Sequence, residues 1–327
     1  MWQTIGHDWA ISLLARAVRG GRVAHTYLFT GPEGIGKRHV AKHLAAMLHC
    51  SAPTPPCGEC AACARVAADA HPDVALVTPE GGRLKIDQIR AVQHDLSLSP
   101  YEGRWRVAII TDFHTATVEA ANSLLKTLEE PPARAVILLT ATDASLLLPT
   151  VVSRCQVLPM RAVARPDIER ALTARWAVAE ERASLLARVA GGRVGWAIRA
   201  AEDPTLLDER RARLDLLQEI LGQGRAARIM AAERLAQDDE RLPVILRLWQ
   251  TWWRDVLLIA SGCEELVSNA DYGEALARQA ATADLPTAAL AVRRIDEALQ
   301  ALEQNAQPRL VLEVLFLGWP APRPVHA

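Results

Sequence analysis

The stretch "TGPEGIGKRHV", Thr30–Val40, decides how the rest of the chain is read. Gly31, four residues, Gly36 and Lys37 reproduce the spacing of a phosphate-binding loop, and Gly34 adds a third permissive position. In such a loop the glycines let backbone N–H groups turn toward phosphates, and the lysine reaches the terminal ones. The helix start that follows adds positive partial charge. The next position calls for a Ser or Thr whose hydroxyl holds magnesium, and here it is Arg38. A guanidinium has no acceptor atom and cannot ligate a metal. On this reading it brings a cation to the place the metal would take. Phosphoryl transfer relies on that metal to neutralise charge.

A phosphate loop needs a strand before it and a helix after it, and both patterns are present. "HTYLFTG" (His25–Gly31) is a short β-type run ending in Gly. "RHVAKHLAAMLH" places Val40, Leu44, Met47 and Leu48 at helical spacing. "DVALVTPEG" (Asp73–Gly81) predicts a second strand, and "KIDQIRAVQHDLSL" (Lys85–Leu98) a helix. "RVAIITD" (Arg106–Asp112) is apolar throughout, as a central parallel strand is. "VEAANSLLKTLEE" (Val118–Glu130) predicts a helix stopped by Pro131 and Pro132. "AVILLTA" (Ala135–Ala141) and "CQVLPM" (Cys155–Met160) supply two more strands. Strands alternating with helices imply a parallel sheet covered on both faces. After about Met160 the β signal ends. Pro204, Pro243, Pro286 and Pro308 then mark helix starts in an Ala-, Leu- and Arg-rich remainder.

The second half of a nucleotide site falls at the end of "RVAIITD". Asp112 suits a carboxylate that holds magnesium through water, but the next residue is Phe113, where a hydrolysing site carries a Glu that orients water. Two separate motifs therefore depart from an active pattern. The plain alternative is a strand–turn–helix scaffold that packs, or that binds nucleotide without cleaving it.

The 327 residues allow two or three domains. Half are hydrophobic and 23% are charged, the composition of an ordinary globular protein. A net charge of −1 excludes a global basic field for nucleic acid, so any DNA contact is local or shared with partners. No apolar run is long enough to span a bilayer. "MWQTIGHDWA" lacks the apolar core of a signal peptide, so a cytoplasmic location is expected. Of six cysteines, Cys50, Cys57, Cys60 and Cys63 follow C-x6-C-x2-C-x2-C. In a reducing compartment that clustering points to metal rather than disulfides. Four thiolates close a tetrahedral zinc site, leaving no open position for catalysis. An iron–sulfur cluster uses similar ligands and stays open as an alternative. His49 and His71 lie near enough to substitute as ligands, though packing is their ordinary role.

"NSLLKTLEEPP" (Asn122–Pro132) followed by "LLPTVVSRC" (Leu147–Cys155) resembles the clamp-loader branch of the AAA+ family. "RVAHTYLFTGPEGIGK", "KIDQIR" and "NAQPRLVLEVLF" (Asn305–Phe316) extend the resemblance over nearly the whole chain. The cysteine spacing is similar to that of bacterial members. The resemblance implies an α/β AAA+ P-loop domain over residues 1–160 with a zinc module inserted at about 50–63. A small helical lid over 161–203 and an all-α collar over 204–327 would follow. It implies a pentameric ring with ATP at subunit interfaces, each site taking an arginine from its neighbour within a Ser-Arg-Cys motif. That motif here is Ser153, Arg154, Cys155. A guanidinium offers fixed donors to phosphate and is always charged.

Active relatives also carry a Gly-Ser-x-Arg sensor, and the matching "GRVGW" (Gly192–Trp196) has Gly195 in the arginine's place. Thr142 falls at the first sensor position. The resemblance thus implies a largely non-hydrolysing stator that donates Arg154 and helps load a sliding clamp onto primed DNA during replication. Its partners would be the gamma/tau ATPase subunits and delta, with the clamp and primer–template DNA engaged in the complex. Lys85, Ile86, Asp87 and Arg90, at a helix start, are candidate DNA-facing residues. The alternatives are an active AAA+ clamp-loader ATPase and a zinc-bearing adaptor outside hydrolysis.

Overall fold

The computed structural model describes residues 4–237 and 241–320. The first residues of the stretch read as lacking a signal peptide, and residues 238–240 and 321–327 of the helical remainder, lie outside the described residues. Five strands form one sheet: β1 (Thr26–Thr30), β2 (Val74–Val77), β3 (Arg106–Ile110), β4 (Ala135–Ala141) and β5 (Gln156–Pro159). Their order is β2-β3-β4-β1-β5, and every pairing is parallel. Strands β1 and β4 are buried along their whole length, which is why they read as unbroken apolar runs.

Side chains alternate between the two faces of the sheet. Tyr27, Phe29, Val107, Ile109, Val136 and Leu138 pack on one face with α1 (Asp8–Arg19) and α2 (Lys37–His49). Leu28, Ala108, Ile110, Ile137 and Leu139 pack on the other. There they meet residues of α4 (Ile86–Ser97) and α5 (Val118–Glu129), while α3 (Ala61–Ala67) lies in the cysteine segment. The α/β architecture expected from the sequence is the one observed. Its register sets Thr30 beside Ala141 and Ile110 beside Leu139. The loops after β1, β3 and β4 therefore leave one carboxyl edge, where sheets of this kind place their sites.

Ten further α-helices follow among the described residues: α6 (Pro149–Val152), α7 (Arg165–Trp176), α8 (Glu180–Ala190), α9 (Val194–Glu202), α10 (Thr205–Gly222), α11 (Arg225–Leu235), α12 (Leu242–Ala260), α13 (Gly273–Thr282), α14 (Leu285–Glu303) and α15 (Pro308–Leu317). The chain divides into two compact units, Met1–Arg175 with Gly192–Trp196, and Trp176–Gly191 with Ala197–Ala327. The second unit is helical among its described residues. Its core is built on Trp249, Trp252 and Trp253 of α12, none more than 1% exposed. The indole of Trp249 donates to Arg213 O at 2.8 Å. Arg228 of α11, 3% exposed, donates to the carbonyls of Ile220, Leu221, Phe316, Trp319 and Pro320. One guanidinium thus ties the ends of α10 and α15 together. No helix among the described residues is long and apolar enough to cross a membrane.

Candidate functional site

Gly31, Gly34 and Gly36 have φ of 141°, 76° and 104°, values that only glycine adopts without strain. A Cβ on Gly31 would lie 2.5 Å from Met160 O, so the backbone after β5 presses directly on the loop. Lys37 is 6% exposed, and its ammonium donates to Gly31 O at 2.6 Å and Pro32 O at 2.9 Å. Burial pulls its pKa down, opposed by Asp112 and then Glu33. Two of the three ammonium donors thus go to its own loop. The backbone N–H of Gly195, in the first turn of α9, donates to Gly34 O at 2.7 Å. A Cβ at Gly195 would meet that oxygen at 2.9 Å, so the contact needs a residue with no side chain. On the other flank, His7 Nε2–H donates to Ile35 O at 2.9 Å.

Arg38 lies differently from expectation. Its guanidinium donates to Asp69 Oδ2 at 2.7 Å, and Lys42 reaches Oδ1 of the same carboxylate at 2.5 Å. Lys42 sits one turn further along α2, so the side chain runs down the helix, away from its N-terminus. The expected cation in the metal's place is corrected: Asp69, just past α3, draws it aside.

At the end of β3, Asp112 sits in the left-handed region at φ 50°, its N–H held by Thr140 Oγ1 at 2.9 Å. Phe113 is 1% exposed and packs in the core with Leu28, Ile110 and Leu124. Thr142 meets the loop through its carbonyl, which accepts from Gly31 N–H at 3.1 Å.

The sulfurs of Cys50, Cys57, Cys60 and Cys63 all lie within 4.8 Å of one another. The N–H groups of Cys57, Cys60 and Cys63 donate to the sulfurs of Cys50, Cys57 and Cys60 at 3.4, 3.3 and 3.4 Å. Amides aimed at sulfur favour thiolate over thiol. N–H groups of Glu59 and Cys60 bring Cys57 down to about 6, whereas burial pushes Cys63 up to about 12. The set converges and its donors suit a thiolate-bound metal, so it is compatible with structural zinc.

His49, His71 and Asp73 also come within 4.8 Å, but two of them are committed elsewhere. His71 Nδ1 accepts from Asp73 N–H at 3.1 Å. The Asp73 carboxylate accepts from the amides of Tyr101, Glu102 and Gly103 at 2.6, 3.0 and 2.8 Å. That group braces a loop, and neither histidine belongs to the four-sulfur set.

Arg154 follows the short helix α6. Its Nη1 donates to Thr150 O at 2.8 Å and Ser153 Oγ at 3.3 Å. Its Nη2 donates to Glu129 Oε1 at 2.5 Å. The side chain is one-third exposed, and none of these bonds reaches the phosphate loop. Burial pushes the Cys155 thiol up to about 12, which leaves it a packing residue rather than a nucleophile.

Lys85 and Ile86 begin α4, where Lys85 N–H donates to Gln88 Oε1 at 3.0 Å. Asp87 and Arg90 face solvent as a loose pair, 3.8 Å apart. The start of α5 lies alongside, since Thr117 N–H donates to Leu84 O at 3.0 Å. The structure thus gathers the glycines, Lys37, Asp112 and Gly195 at one edge, while Arg38, Arg154 and the α4 start each lie apart. Sequence reasoning missed Asp69, Glu129 and His7. Each acts on a residue far away in the chain, and no local pattern marks it.

Comparison with known proteins places these features among relatives. Residues 6–164 match the family described as DNA polymerase III, delta subunit. The chain is 30% identical over 317 residues to DNA polymerase III subunit delta' of Bacillus subtilis, covering 94% of each chain. It is 43% identical over 142 residues to the protein of that name in Pseudomonas aeruginosa, covering 42% of this chain and 43% of that one. A solved DNA polymerase III gamma subunit-related protein of Thermotoga maritima aligns at 20% identity and a TM-score of 0.48, over 95% of this chain and 99% of that one.

Proposed function

The chain belongs to the delta-prime family of DNA polymerase III subunits, and from that premise we propose that it is the clamp-loader ring member that lends catalysis to a neighbour while running none of its own. One contrast carries this reading. Lys37, which would hold phosphates, is occupied by Gly31 and Pro32, while Arg154 presents a partly exposed guanidinium on the surface. Phe113 is core and cannot orient water. Arg38 offers no magnesium ligand.

In this role Arg154 enters a neighbouring gamma/tau subunit's ATP site and stabilises charge on the transferred phosphoryl group. A finger supplied in trans is worth about 10³–10⁵ in rate. Delta, the sliding clamp and primer–template DNA complete the assembly. The chain works in the cytoplasm in three parts, over 1–160, 161–203 and 204–327. Lys85, Ile86, Asp87 and Arg90 lie toward DNA, where the N–H groups of the α4 start and the basic side chains meet phosphate without reading sequence. Cys50, Cys57, Cys60 and Cys63 hold the structural zinc, which when bound ties the segment ahead of α3 to Cys63 in its first turn.

The test is reconstitution with gamma/tau, delta and clamp, followed by ATPase and clamp-loading assays on wild type and Arg154→Ala. Loss of clamp- and DNA-stimulated turnover in the variant is the expected result. Unchanged turnover refutes the finger. Magnesium-dependent ATP turnover by the isolated chain would instead favour an active ATPase.

A further inference from the structure

Glu129 occupies a poor place for a carboxylate. It is the last residue of α5, where the helix carries negative partial charge and disfavours anions. Glu130 follows at once, and Pro131 and Pro132 end the helix. Arg154 Nη2 meets Glu129 at 2.5 Å. Among the described residues it is the only ion pair that either side chain makes, and it spans 25 positions of sequence. The other guanidinium edge is held by Thr150 O and Ser153 Oγ.

We propose that Glu129 is the resting partner of Arg154, and that a neighbour's nucleotide phosphate displaces it when the finger engages. The proposal rests on the finger reading above. Carboxylate and phosphate are the two planar or forked acceptors a guanidinium binds best, and they compete for the same N–H edge. No bond is made or broken in the exchange. Glu129 is half-exposed, and exposed ion pairs are weak, so the pairing acts as a light restraint. It keeps Arg154 extended toward α5 and lowers the frequency of unproductive engagement.

Glu129→Gln keeps the shape and removes the charge, and its surface position leaves folding intact. In the reconstituted complex without clamp or DNA, the variant should raise basal ATP turnover about two- to fivefold, the range an exposed pair supports. Glu129→Asp should fall back toward wild type. Raising the salt should close the gap, because salt screens the wild-type pair. Glu129→Gln combined with Arg154→Ala should match Arg154→Ala alone. If Arg154→Ala is inactive but Glu129→Gln equals wild type at low salt, the resting-partner role is refuted and the finger stands. Lowered turnover in Glu129→Gln also refutes it, since Glu129 would then aim the finger rather than restrain it. Unchanged turnover in Arg154→Ala removes both readings.

Discussion

Arg228→Met tests how one buried cation organises the helical unit. The guanidinium is 3% exposed and donates to five carbonyls at 2.7 to 3.2 Å, none of them a carboxylate. Methionine has similar length and fills much of the volume, so the loss isolates polar pairing from packing. Each carbonyl left buried without a donor costs about 1–3 kcal/mol. Relief of the charge's own burial offsets part of that sum, and the ends of α10 and α15 regain some water. A net loss of about 3–5 kcal/mol, the penalty of two or three such carbonyls, is expected here. For a unit of this size that lowers Tm by roughly 10 °C. Tryptophan fluorescence follows it directly, because Trp249 packs against Phe316 and Trp319 in the same core. Arg228→Lys keeps the charge but loses the fork, and should fall between wild type and Met. A Met variant within about 1 kcal/mol of wild type, on the scale of a single ordinary hydrogen bond, would refute the reasoning. The carbonyls would then be satisfied without the guanidinium.

Elemental analysis should find about one zinc per chain, lost when Cys57 and Cys60 are both replaced by Ser. Metal retained by that double variant would remove the four-sulfur assignment. His43 gives a pH prediction. Burial, then His39, holds it at about 4 against an ordinary 6.5. The folded state keeps it neutral while the unfolded chain takes a proton, so stability is whole above about pH 6.5 and falls as pH drops toward 4. The full shift is worth up to about 3 kcal/mol. His43→Gln should flatten the stability-versus-pH slope in that window by about one proton, and an unchanged slope would count against it.

The centre of the sheet was legible because β1, β3 and β4 are short, mostly apolar runs whose burial leaves no polar alternation to misread. Asp112 and the glycines were legible because a phosphate loop is a local pattern. Helix α1 went unread: its N-cap is His7 in the left-handed region with no side-chain cap, so no start signal announces it. Helix α3 hid inside the cysteine segment, where the cap is a sulfur, Cys60, accepting from Cys63 N–H. The fate of Arg38 could not be read, since Asp69 lies 31 residues away. The partner of Arg154 is 25 residues away, at the end of a proline-stopped helix. Local spacing identifies the chemistry a residue is capable of, and long-range pairing decides where the side chain goes.

The three positions that read in the sequence as departures from an active nucleotide site each make a contact of another kind. Arg38 straps α2 to the segment beyond α3 through Asp69. Phe113 is core, so a glutamate there would carry an unpaired charge into hydrocarbon. Gly195 touches the loop backbone-to-backbone, so an arginine there would push α9 off Gly34. A change at Phe113 or Gly195 therefore costs packing, whereas a change at Arg38 gives up only an exposed ion pair. If the proposed stator reading holds, a return to hydrolysis would have to rebuild the contacts that Phe113 and Gly195 make before any gain in chemistry.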